Sequence, residues 1–132
     1  MSEKVRPVCL PNSGTETSGT LTVAGWGLTE SGENSNSLLE TSVTEYDWNK
    51  CNSKWKALTE NHLCASLDGK SFCDGDSGGP LTARQHGKNY IVGIVAIYAG
   101  KCGEQRDSVY TKVVKYLDWI RENTKDGVYC SQ

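Results

Sequence analysis

No apolar run in these 132 residues approaches the 18 or so that would suit a membrane helix. The longest, around Tyr90 to Ala99, is interrupted by Gly93 and reads as a buried strand. Lys and Arg are scattered and the formal net charge is −2, so nothing marks a nucleic-acid face or a polybasic membrane patch. No pair of cysteines has Cys-x-x-Cys spacing, and His62 is separated from Cys64 by one residue only. A zinc site is therefore not expected, nor any cofactor. There is no Asn-x-Ser/Thr site and no internal repeat. Met1-Ser2-Glu3-Lys4 opens on polar residues, without the basic and apolar regions of a secretory leader.

Six cysteines in so short a chain point the other way, to an oxidising compartment. If all six pair, 15 connectivities are open. The length suits one domain with a modest core.

Short apolar segments recur between turn clusters. Strands are predicted over Leu21 to Trp26, Leu38 to Tyr46, Leu63 to Ser66, Pro80 to Arg84, Tyr90 to Tyr98 and Ser108 to Val113. Six short strands with irregular loops suggest an all-β antiparallel barrel. Asp47 to Trp55 reads as a short helix capped by Asp47, with Trp48, Cys51 and Trp55 on one side. Val114 to Lys125 reads as a second helix, with apolar residues at Val113, Tyr116 or Leu117, and Ile120.

Cys73-Asp74-Gly75-Asp76-Ser77-Gly78-Gly79-Pro80-Leu81 carries the chemistry. A serine between glycine-bearing turns can be exposed with backbone amides aimed beside it, which suits a developing oxyanion. The same residue types also make an ordinary turn between strands.

The whole string resembles the active-serine loop of the trypsin/chymotrypsin-like serine proteases. Arg6-Pro7-Val8-Cys9-Leu10-Pro11, Val23-Ala24-Gly25-Trp26-Gly27, Leu63-Cys64-Ala65 and Val109-Tyr110-Thr111-Lys112-Val113 follow in that family's order. The resemblance runs from about Val5 to about Lys125 and covers the second half of the family's catalytic domain. It implies a six-stranded Greek-key barrel over 20–125, a connecting segment over 1–19 and a tail over 126–132. A short intermediate helix and a C-terminal helix complete the expected fold.

Site residues follow from the same resemblance. It implies Ser77 as nucleophile and the amides of Gly75 and Ser77 as oxyanion donors. Asp76 is implied as the partner of an activation ammonium. Ser71 and Phe72, with Ala96, Ile97, Tyr98 and Ser108, are implied around the primary substrate pocket. Trypsin-like members carry aspartate where Ser71 stands, and relatives keep glycine where Tyr98 and Ser108 add bulk. A shallow pocket favouring small apolar side chains is therefore expected, not one for Arg or Lys. The family's base histidine and its orienting aspartate fall before the point where this chain begins, while His62 and His86 match loop positions. An isolated chain is accordingly expected to be inactive.

The resemblance implies the bridges Cys51–Cys64 and Cys73–Cys102. It also implies that Cys9 tethers an upstream light chain or first barrel, with a Cys9–Cys130 bridge as the alternative. Leu21 and Ala83 stand where many relatives carry one further bridge. The function implied is extracellular, secreted proteolysis of peptide or protein substrates, of a clip-domain or clotting type. The alternative is a non-catalytic homologue acting as a binding or regulatory module.

Overall fold

Alternation of apolar and polar residues becomes strand at each of the six predicted places. The computed structural model describes residues 5–29, 31–45, 47–49, 51, 58–66, 73, 75–98 and 108–130. Its strands are β1 Thr20–Gly25, β2 Leu39–Glu45, β3 His62–Ser66, β4 Pro80–Gln85, β5 Lys88–Tyr98 and β6 Ser108–Lys112. They close into an antiparallel barrel in the order β1-β2-β3-β6-β5-β4. Strands β3 and β4 follow one another in sequence without being neighbours in the barrel.

Leu21 and Val23 point inward from β1 and lie opposite Ala83 and Leu81 of β4. Cys9, Val43, Leu63, Ala65, Tyr90, Val92, Val95 and Tyr110 complete the same buried cluster. Burying each Leu or Val of the cluster contributes roughly 1.5–3 kcal/mol. Leu21 and Ala83 are directly paired across the two strands, so apolar packing holds the position where relatives place another bridge.

On β3 and β6 the period-2 pattern fails for a physical reason. Cys64 and Val109 alternate with the inward residues, yet both are buried. They form a second cluster outside the barrel with Cys51 and Leu58. The Cys51–Cys64 bridge closes that layer over a sequence separation of 13. A loop of this size is worth about 3 kcal/mol through the unfolded state.

β5 is the longest strand, at 11 residues, and it is irregular twice. Its register shifts against β4 beside Leu81 and against β6 between Val95 and Ile97. Extra residues of this kind bend a strand and raise its twist, as barrel closure requires. A two-residue turn, His86 (φ 51°) and Gly87 (φ 74°), joins β4 to β5. Two successive positive φ values match the right-handed twist of the flanking strands.

The predicted N-terminal cap of the first helix is present: Asn49 N–H donates to Asp47 Oδ1 at 2.9 Å, and Cys51 N–H to the Asp47 carbonyl at 3.1 Å. Trp55 lies outside the described residues. The C-terminal segment begins as a 3-10 turn, Val113–Tyr116, and continues as helix α1, Leu117–Asn123. Val113 is buried, but no residue of α1 is. Trp119 of α1 is 64% exposed and, with Ile120, rims an apolar groove of about 350 Å³ whose floor includes Ile91, Ile94 and Val113.

The expected tether through Cys9 is corrected here. Cys9 N–H donates to the Asn89 carbonyl and the Cys9 carbonyl accepts from Ile91 N–H, both at 2.9 Å. This lays Cys9 along β5, and the tail after α1 returns to the same place. The Cys9 and Cys130 Cα atoms lie 5.2 Å apart and their sulfurs are bonded. The Cys9 thiol is thus already engaged within the chain.

Candidate active site

The serine loop spans the gap between buried Cys73 and the start of β4 at Pro80. Two glycines take φ values that L side chains rarely adopt, Gly75 at 96° and Gly78 at 84°. Only residues without a Cβ reach such angles cheaply, so the motif's glycines set the path of the loop. Gly78 N–H donates to the Val95 carbonyl at 3.0 Å, and Val95 N–H to the Gly79 carbonyl at 2.9 Å. The loop is thereby pinned to β5 at its second irregularity.

Ser77 stands exposed at the turn, between Gly75 and Gly78. Among the described residues, nothing accepts a hydrogen bond from the Gly75 or Ser77 amides, and nothing bonds the Ser77 hydroxyl. Two unspent N–H donors therefore accompany an accessible hydroxyl. Such a pair suits an oxygen that gains negative charge during reaction.

Asp76 points the opposite way and is partly buried. Its Oδ1 accepts from Gly27 N–H at 2.8 Å and its Oδ2 from Cys73 N–H at 2.9 Å. The Asp76 amide returns a bond to the Cys73 carbonyl at 3.0 Å. Sequence reasoning missed the role of Gly27 as a donor to this carboxylate. The signal was present in Gly25-Trp26-Gly27, whose two glycines flank an exposed tryptophan.

The remaining predicted site residues are placed unevenly. Ala96 is half-buried and Ile97 is 44% exposed, both on β5 near the loop's anchor. Ser108 pairs with Tyr98 in the β5–β6 register and is fully buried. Ser71, Phe72, Cys102 and the Tyr98 side chain lie outside the described ones. Cys73 is disulfide-bonded, whereas Cys102, its implied partner, falls among the residues just named.

Among the described residues, neither histidine is hydrogen-bonded to Ser77. His86 sits in the β4–β5 turn, a six-residue strand away, or roughly 20 Å. His62 begins β3, and its Nδ1 accepts from Thr59 N–H at 3.0 Å. Among the described residues, no three or more of His, Cys, Asp and Glu cluster in a way that could hold a metal ion.

A closed six-stranded barrel with a glycine-framed exposed serine defines a class, and comparison with known proteins agrees. The Trypsin family model matches residues 1–120, and the chain belongs to that family. It is 38% identical over 106 residues to CLIP domain-containing serine protease B4 of Anopheles gambiae, covering 76% of this chain and 29% of that protein. It is 38% identical over 134 residues to the hepatocyte growth factor activator serine protease of Mus musculus, covering 94% of this chain and 20% of that one. Among solved structures it is similar to neuropsin, a serine protease expressed in the limbic system of mouse brain. That match has a TM-score of 0.79 and 31% identity, covering 93% of this chain and 56% of neuropsin. The chain thus spans less than a third of the two curated relatives and about half of the solved one.

Proposed function

We propose that this chain carries the nucleophile half of an extracellular serine endopeptidase. The observation that carries the reading is the exposed Ser77 hydroxyl beside the undonated amides of Gly75 and Ser77. In this reading Ser77 Oγ attacks a substrate carbonyl, and the two amides hold the resulting oxyanion. A serine hydroxyl is weak at neutral pH without a neighbouring base. His62 and His86 do not supply one, so base and orienter come from a partner segment, the first barrel of such a domain.

The groove beside α1 is where that partner docks in this reading. Leu10, Ile94, Tyr116, Trp119 and Ile120 present apolar surface there. Ile94 is paired with Pro80, three residues from Ser77, so the groove adjoins the serine loop. An apolar patch of this kind marks an interaction site. The part of neuropsin that has no counterpart here is 44% of its chain (100 − 56), somewhat smaller than this one.

A fluorophosphonate probe tests the proposal. The chain alone is expected to label negligibly. Co-expressed with the first half of a related catalytic domain, it is expected to label on Ser77. Peptides with small apolar residues before the cut are expected to turn over faster than those with Arg or Lys, because Ser71 offers no carboxylate. An assembled complex that fails to label would sink the enzymatic reading and leave the binding-module alternative.

A further inference from the structure

The Asp76 carboxylate occupies the space where a side chain on Gly25 would begin. A Cβ built on Gly25 falls 2.0 Å from Asp76 Oδ1 and 2.9 Å from its Cγ. That same Oδ1 takes the Gly27 amide. A second contact adds to it, because a Cβ on Gly75 would lie 3.0 Å from the Gly27 Cα. The serine loop therefore lies directly on the backbone at the end of β1.

Gly25 is not among the glycines with positive φ. Its backbone would accept any L residue, so conformational freedom is not what the position demands. What it demands is empty space for one oxygen. Family resemblance had assigned Asp76 to an ammonium from elsewhere. Both carboxylate oxygens accept N–H bonds from this chain, which use two of a carboxylate's roughly four acceptor positions and leave others for that ammonium.

We infer that Gly25 is a positioning residue for Ser77. By lacking a side chain, it admits the Asp76 carboxylate to the Gly27 amide. The resulting latch helps to set the Gly75–Ser77 turn from within this chain. The catalytic consequence rests on reading Ser77 as the nucleophile; the latch itself does not.

A double-mutant cycle on the full chain tests it. Gly25→Ala alone is expected to lower the folding equilibrium constant by about tenfold or more, the scale of contacting pairs. In an Asp76→Ala background the clashing oxygens are gone, and the remaining Cβ of residue 76 lies 3.5 Å from the new methyl, an ordinary contact. There Gly25→Ala is expected to change the constant by less than about twofold, a rescue that a general packing role would not produce. Amide exchange gives a readout that survives a poorly folding variant. In the unaltered chain the Gly27 amide should be protected, and Asp76→Asn should accelerate it while Ile91, bonded to Cys9, stays protected. Equal costs of Gly25→Ala in both backgrounds, or an unprotected Gly27 amide in the unaltered chain, would overturn the inference. Run with Ser77→Ala added, the cycle should be unchanged. Loss of the nucleophile reading, judged by probe labelling, is thereby separable from loss of the latch.

Discussion

Ser77→Ala in the assembled two-barrel form is expected to reduce turnover by about 10⁶-fold. That is roughly 8 kcal/mol of transition-state stabilisation, the scale seen when a serine hydrolase loses its nucleophile. Substrate binding should be nearly unaffected, because the hydroxyl is small and exposed and makes no bond among the described residues. Steady-state kinetics on a peptide ester would separate the two, with kcat collapsing and KM almost constant. A loss confined to KM would mean that Ser77 contacts substrate without attacking it. Thermal stability of the variant should match the parent, since no contact within the described fold is removed.

Leu81→Ala is expected to cost about 3–5 kcal/mol of stability. Leu81 has no exposed surface, and it packs over Gly93, where an added Cβ would meet its Cδ2 at 3.1 Å. Its site is walled by paired strands on both sides, β1 through Val23 and β5 through Gly93. Those strands cannot close over a missing isobutyl group without breaking ladder bonds, so a cavity remains. Small domains have only 5–15 kcal/mol in total, and the change would bring this one near unfolding. Urea denaturation should show a lower midpoint with an unchanged slope. A loss under 1 kcal/mol would show that the wall is softer than its pairing implies. Because Leu81 follows Ser77 by four residues, the same variant should also loosen the serine loop.

Most of the barrel was legible because its evidence is local. Leu21, Val23, Leu81, Ala83, Tyr90 and Val92 repeat at period 2, and the strands built on them lie within two residues of their predicted bounds. The exceptions depend on distant partners. Cys64 and Val109 are buried on the outer side only because the Cys51 segment folds over them. Cys9 and Cys130 are joined because β5 and the tail bring them together, a fact no spacing encodes. The site divides in the same way. Gly75 and Gly78 announce the turn, since its φ values need them. Gly25 announces nothing, since its reason is an oxygen that arrives from 51 residues later (76 − 25). The apolar rim of α1 is visible in the sequence as a stripe at helical spacing, but periodicity does not tell which body covers a stripe.

The Cys9–Cys130 bridge ties residues 121 positions apart, so nearly the whole chain lies within one covalent ring. A single proteolytic cut anywhere between those two cysteines opens the ring without releasing a piece. A nicked molecule keeps its mass apart from one water, and its two fragments separate only when the sulfurs are reduced. Cleavage in an exposed loop would therefore leave both halves of the barrel held side by side.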